Sequence, residues 1–375
     1  MSKVYYYNVN DYNGKELALA VEAIFAQSEN AKGLCKDTKL LIKPNLLAKH
    51  TPDAAVTTHP QLLLEVIRAA KRRGVTQIIM ADSSGGTYNA AMMQSIYKAS
   101  GLASVCQDEG VQIYTQCKWG SVKTNGNAVR EFNLIEPVLD ADFIINLPKL
   151  KTHMMMGMSG AVKNLFGCIP GLQKAEMHMR FPQAERFGEM LVDLCEAVRP
   201  QLSIVDGVMG MEGDGPAGGK PRKCNCILGG ENPYAIDLAI CKLIGMEAMS
   251  VPFLSAANIR GLCGKSAEEI EIIGDKLLPI KGFLLPSGHS EVDFRQSVPR
   301  VLRFAVPMVQ GFVAPRPFIR KKLCIGCGKC ADICPGHTIN IINKKASIER
   351  KNCIRCFCCH EMCPVKAIGV RSFFK

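Results

Sequence analysis

Aromatic residues are scarce in this 375-residue sequence, at 6% with one Trp and eight Tyr. Few platforms are left on which bases can stack, and no RNA- or DNA-binding motif appears, so nucleic acid is not an expected partner. Long apolar runs are also missing. The best, Phe304 to Pro315, carries two prolines and falls well short of the roughly 18 residues a membrane helix needs. The N-terminus MSKVYYYNVNDYNGKE lacks the apolar stretch and small-residue cleavage site of a secretory signal, so a cytoplasmic location is expected. No G-x4-G-K-[ST] string supports P-loop chemistry. Gly213 to Gly218 formally fits G-x-G-x-x-G, but GKPRKCN follows, with no helix to receive a pyrophosphate.

What is present suffices for a folded protein. Hydrophobic residues make up 47% and charged residues 21%, which closes a core and argues against disorder. The length suggests two domains, or one large domain and a small module. A formal charge of +12 favours acidic partners. Eighteen cysteines in a cytosolic chain do not read as a disulfide framework, because that compartment keeps thiols reduced. Nine of them fall between Cys324 and Cys363, a density that points to metal.

Residues 1 to 296 alternate short apolar strands (Leu40 to Lys43, Gln77 to Ala81, Gln112 to Thr115, Phe143 to Leu147, Leu202 to Asp206, Cys224 to Leu228) with amphipathic helices (Glu16 to Gln27, Pro60 to Arg73, Ala90 to Ser100, Phe187 to Val198, Pro233 to Gly245). The expected fold is α/β, a largely parallel or mixed sheet flanked by helices, with a ligand site beyond the carboxyl ends of the strands. A Pro-rich linker at 297–320 leads to a small α+β module at 321–375.

That module holds a repeat. CIGCGKCADICP (Cys324 to Pro335) recurs as CIRCFCCHEMCP (Cys353 to Pro364), and TINIINKKASIER between them predicts two short strands around Asn343-Lys344-Lys345. Each copy has the form C-x2-C-x2-C-x3-C-P. Three evenly spaced cysteines wrap one [4Fe–4S] cluster, and the fourth ligates the neighbouring cluster. Two clusters are therefore expected, one on Cys324, Cys327, Cys330 and Cys363 and the other on Cys353, Cys356, Cys359 and Cys334. Zinc is the competing metal, but zinc ribbons usually show two CxxC pairs. Cys358 is left as a spare thiol. Eight thiolates on two oxidised clusters would lower the net charge to about +8. The segment resembles the bacterial-type two-cluster ferredoxin domain. Clusters that serve only as structural staples are the alternative, since so small a module cannot fold on an apolar core alone.

In the larger domain, polar strings follow the strands: Lys43-Pro44-Asn45, Thr58-His59-Pro60, Asp82-Ser83-Ser84-Gly85-Gly86, PKLKTH ending at His153, GAVKNLFG from Gly160 to Gly167, and Asp206-Gly207 with Gly213-Asp214-Gly215-Pro216. Together they resemble the prokaryotic family called domain of unknown function 362, over roughly residues 38 to 246. The resemblance implies an α/β fold and iron–sulfur company, not an activity. From the residues themselves, Lys43, Lys149, Lys151 and Lys163 at strand ends are expected to converge on one crevice for a carboxylate or phosphate. Lys149, Lys151, His153 and Lys163 are the catalytic candidates, with His59 a second proton-transfer candidate. Lys43, Asn45, Asp82 and Asp206 are the candidates for holding a ligand or cofactor, with Glu212 and Asp214 as further carboxylates. Met154, Met155, Met156 and Met158 read as core, as do Cys224 and Cys226.

The leading expectation is an electron-transfer protein serving a redox partner protein, with Lys321, Lys322, Lys329 and Arg355 offsetting cluster charge. The alternatives are an iron–sulfur reductase acting on an anionic small molecule, and a binding module whose clusters sense redox state or hold structure.

Overall fold

The computed structural model describes residues 1–287 and 315–371. The expected domain boundary at 296 and the expected linker up to residue 314 lie outside the described residues, as does the end of the module, 372–375.

The large unit is built on ten strands. In chain order they are β1 (Lys3–Asn8), β2 (Lys39–Lys43), β3 (Gln77–Met80) and β4 (Gln112–Ile113). A separate hairpin, β5 (Trp119–Lys123) and β6 (Glu131–Ile135), precedes β7 (Phe143–Asn146), β8 (Lys149–His153), β9 (Gly157–Met158), β10 (Leu202–Glu212), β11 (Lys220–Gly230) and β12 (Glu271–Gly274). The sheet runs β12-β1-β11-β10-β7-β2-β3-β4, with β8 joined to β10 and β9 to β8. It is parallel from β10 through β7, β2 and β3 to β4 and antiparallel across β1, β11 and β10. The fold is therefore α/β on a mixed sheet.

Helices cover both faces, because strands buried on two sides need two apolar layers. One core layer gathers Val21, Ile24 and Phe25 from helix Lys15–Gln27 with Leu62, Val66 and Ile67 from helix Pro60–Arg72. The other gathers Phe187, Leu191 and Leu194 from helix Ala184–Val198 with Ile236, Leu238 and Ile240 from helix Pro233–Ile244. Both Pro60 and Pro233 open their helices, where a missing N–H costs nothing. Met154, Met156, Met158, Cys224 and Cys226 are buried in this interior.

The six strands expected from sequence all appear. Expected extended structure was incomplete, however: β10 and β11 run eleven residues each, and the loop joining them is the Gly213 to Gly219 stretch. That connection is a hairpin turn between antiparallel strands, with no helix after it.

The small unit pairs β13 (Arg316–Ile319) with β16 (Ile368–Arg371), and β14 (Ile339–Ile342) with β15 (Lys345–Ile348). Asn343 and Lys344 both take positive φ, 48° and 57°, as a two-residue hairpin turn requires. Arg316–Ile319, which the Pro-rich composition assigns to the linker, is thus a strand of this unit.

Candidate functional site

PKLKTH is not a loop after a strand but a strand itself. In β8 the residues Lys149, Lys151 and His153 alternate with Leu150 and Thr152, so the three polar side chains share one face. All are buried and each therefore needs a partner.

Lys149 finds its partner in Asp206 on β10. Its Nζ donates to Asp206 Oδ2 at 2.9 Å and to the Tyr12 hydroxyl at 2.9 Å, and Tyr12 donates to Asp206 Oδ1 at 2.6 Å. Asp206 Oδ2 also accepts from the backbone N–H of His59 at 2.8 Å, and the His59 ring stacks on Tyr12 with centroids 3.5 Å apart. Burial pushes His59 down to about 4, so it is neutral at physiological pH.

Lys43 is satisfied in the same manner. Its Nζ meets Asp82 Oδ2 at 3.0 Å with both side chains essentially solvent-free, and it also donates to Pro44 O at 2.9 Å. Asp82 further accepts from Leu46 N and Ser83 N.

Among the described residues, Lys151 has no carboxylate at hydrogen-bond distance. Its Nζ donates to Asn45 Oδ1 at 2.7 Å and Val56 O at 2.9 Å. Asn45 then donates to Asn164 Oδ1, and Asn164 to Asn146 Oδ1, each at 2.7 Å. This amide relay fixes Lys151 without neutralising it. Burial brings Lys151 down to about 7, against the pull of Glu361.

The GAVKNLFG string is explained residue by residue. A Cβ on Gly160 would lie 1.9 Å from Asp237 Oδ1, and one on Gly167 2.2 Å from Asp82 Oδ1. Asp237 accepts from Ala161 N at 2.6 Å and Val162 N at 3.0 Å, anchoring the short helix Ala161–Asn164. Asn164 belongs to the amide relay. Lys163 makes no hydrogen bond among the described residues and rests over the Phe166 ring, 4.4 Å from its centroid.

Lys151, His153 and Lys163 line one cavity, with about 710 Å³ of space unfilled by atoms, part of it open to solvent. Asn45 is also in its wall; Lys43, Lys149, Asp82 and Asp206 are not. The four lysines therefore split into two held in ion pairs beside the cavity and two in its wall. Three further wall residues carry no signal in the sequence: Lys174, His178 and Glu361. Lys174 Nζ donates to Ser83 Oγ at 3.0 Å, and burial lowers it to about 7. His178, stacked on Phe187, is lowered by burial to about 3, and its Nδ1 has no hydrogen-bond partner among the described residues. Only their i, i+4 spacing on helix Gln173–Arg180 places Lys174 and His178 on one side.

Glu361 enters the cavity from the small unit. Its Oε1 lies 3.3 Å from His153 Nε2. Met155 N and Met156 N donate to His153 Nδ1, which leaves the ring proton on Nε2, facing the carboxylate. Burial lowers His153 and on its own would raise Glu361, but His153 and the Lys163 charge hold Glu361 at about 2.

The two units meet around this point. His360 spans them, with Nδ1 2.7 Å from Ile368 O and Nε2 3.0 Å from Asp214 O. Gly218 is confined there, since a Cβ would sit 2.2 Å from His360 Nε2. Lys366 Nζ donates to Gly219 O at 3.3 Å. The glycine-rich turn after β10 is thus a seat for the small unit. Glu212, on the same arm, accepts from Leu284 N, and Asp214 from Ser287 N.

All eighteen cysteines are free thiols. Cys324, Cys327, Cys330 and Cys363 line one cradle, and Cys334, Cys353, Cys356 and Cys359 line a second, each with about 330 Å³ of space unfilled by atoms. Backbone N–H groups point at the sulfurs: Ala346 N at Cys324 Sγ (3.3 Å), Thr338 N at Cys334 Sγ (3.4 Å) and Ala367 N at Cys363 Sγ (3.1 Å). Such donors favour thiolates, the form that binds metal. Sulfur donors around a cavity, with no disulfide, fit an iron–sulfur group. Cys358 lies outside both cradles and lines the large cavity instead.

Among the described residues no helix is long and apolar enough to cross a membrane. The family model for domain of unknown function 362 matches residues 40–242, and that for a 4Fe-4S dicluster domain matches residues 316–364. A thylakoid-associated protein of Synechocystis sp. is 33% identical over 267 residues, covering 71% of this chain and 81% of the relative. The lactate racemase apoprotein from Thermoanaerobacterium thermosaccharolyticum is similar in structure over 62% of this chain and spans 55% of its own, at 15% identity and a TM-score of 0.37. The C-terminal match marks an iron–sulfur, metal-binding domain. With one family model spanning more than half of its length, the chain belongs to the domain of unknown function 362 family and carries a 4Fe-4S dicluster domain at its C-terminal end.

Proposed function

We propose that the protein transfers single electrons through two [4Fe–4S] clusters, Cys324, Cys327, Cys330 and Cys363 holding one and Cys334, Cys353, Cys356 and Cys359 the other. The observation that carries this reading is the division of eight thiols between two cradles, each taking three cysteines from one repeat and one from the other. A cluster in such a cradle gains and loses one electron without breaking a bond. The chain's own residues supply the thiolates, the N–H donors that set their basicity, and the shielding from water. Anaerobic reduction with dithionite tests it: absorbance bleaching with a low-temperature EPR signal is expected, and clusters that resist reduction would defeat it.

A second reading is an iron–sulfur reductase acting on an anionic small molecule. It is favoured by the cavity, which both units wall and which Cys358, the neighbour of Cys359, reaches. In this reading Lys163 and Lys151 bind the anion, and His153 holds a proton at Nε2. Lys151→Ala and His153→Ala separate the two readings. A pure carrier passes electrons to an artificial acceptor unchanged, whereas a reductase loses turnover while keeping its cluster spectrum.

A further inference from the structure

The two cradles face different surroundings. The second adjoins the cavity: Ile333, Cys356, Cys358 and Met362 pack together, and Cys358, Ile333 and Met362 are cavity wall. The first faces solvent. Cys327 is exposed; Ile325 (62% exposed) lines the same cradle, Leu323 (49%) directly precedes its Cys324, and Ile342 (57%) follows Ile341, which also lines it. The β14–β15 hairpin closes this face, its turn pressed on Gly326, where a Cβ would meet Lys344 O at 2.3 Å. Isolated exposed apolar residues need no explanation, but three that line one thiol cradle or flank its lining residues along the chain do.

The small unit is also strongly basic. Residues 315–371 hold twelve Lys and Arg against three Asp and Glu, whereas residues 1–287 hold 30 against 29. Lys321, Lys322 and Lys329, within a few residues of Leu323 and Ile325 in the chain, and Lys344, two residues past Ile342, are exposed. Two clusters with their thiolates would remove about four of these positive charges and leave the unit basic.

We infer that Leu323, Ile325 and Ile342, rimmed by Lys321, Lys322, Lys329 and Lys344, form the docking face for an acidic one-electron carrier protein, so that electrons enter at the first cradle and leave from the second toward the cavity. The inference rests on the two-cluster reading. An apolar centre with a charged rim is how protein interfaces are organised, and the rim sets partner choice and encounter rate. Tunnelling falls steeply with distance, so the partner must seat against the exposed cradle and not the enclosed one. In the transfer the carrier loses one electron and this chain gains it; no bond forms or breaks and no proton moves.

The test uses the full-length, anaerobically reconstituted protein and a small acidic flavodoxin as the probe, reading both affinity by calorimetry and electron transfer by stopped flow. Binding is expected to weaken about tenfold between about 0.02 and 0.3 M salt. Leu323→Glu and the Lys321→Glu/Lys344→Glu pair should weaken binding and slow transfer by about the same factor, with iron content and EPR unchanged. Lys15→Glu and Lys36→Glu, on the exposed surface of the large unit, should alter neither. Binding that ignores both salt and the face substitutions overturns the inference. So does capture of the chain through these residues by phosphatidylglycerol vesicles with no flavodoxin binding, which would make the face a lipid-binding surface. Face-dependent binding with an iron count well below two clusters would uphold the docking face and overturn the two-cluster reading instead.

Discussion

The two units of this chain hold themselves together by different means. The large one has two apolar layers on a ten-stranded sheet, and its buried charges such as Lys43, Lys149, Lys151 and Asp237 are tied into ion pairs, an amide relay or backbone N–H groups. The small one has few buried apolar side chains, and four of the eight residues in its main apolar cluster are cysteines. One unit folds by burying hydrocarbon and the other by gathering sulfur around a metal site. The proposed function follows the same division: lysines of the scaffold line a cavity, and the thiol-rich unit covers it.

The largest expected effect breaks that contrast directly. Chelating iron from the protein should unfold residues 315–371 while the large unit keeps its cooperative unfolding transition, as read by proteolysis and circular dichroism. Loss of structure throughout would show that the units fold as one.

A smaller effect sharpens it within the scaffold. Asp82→Asn strands the Lys43 ammonium in a solvent-free site and should cost about 3–5 kcal/mol in urea unfolding, whereas Lys43→Met with Asp82→Leu should restore much of the loss. Equal costs for the single and double variants would contradict the pairing argument.

The next effect concerns the joint. Glu361→Gln removes the carboxylate facing His153 and should loosen the small unit, raising hydrogen exchange at Met155 and Met156 without loss of iron. Unchanged exchange would show that His360 and Lys366 hold the joint alone.

The smallest effect is one of pH. Folding lowers Lys151 from 10.5 to about 7, so between those values the unfolded chain binds a proton that the folded chain does not. Its contribution to stability therefore rises with pH across that window. Lys151→Met should remove this part of the slope in urea midpoints between about pH 7 and 9; an unaltered slope would place the effect elsewhere.

The apolar periodicity carried most of the scaffold. Strands such as Phe143–Asn146 and helices such as Pro233–Ile244 are legible because burial on both faces, or on one stripe, writes itself into local sequence. β8 escaped because its lysines make it polar, although their i, i+2, i+4 spacing with His153 is the signature of a strand face. Among the catalytic candidates, Lys151, His153 and Lys163 meet at the cavity, while Lys149 is held by Asp206. No local pattern distinguishes these, since the difference lies in which carboxylate the fold brings opposite. Tyr12, Asp237, Lys174 and Glu361 were illegible for the same reason, since each acts through a partner far along the chain; His178 meets nearby rings, which no spacing announces. The thiol repeats were readable because metal ligation demands fixed short spacings.

The central claim is tested most directly by counting iron and acid-labile sulfide in anaerobically prepared protein, with EPR on the fully reduced sample. About eight of each per chain, with the broadened signal of two magnetically coupled centres, is the predicted result. Stoichiometric zinc, or about four irons with the second set of thiols open to alkylation, would contradict it.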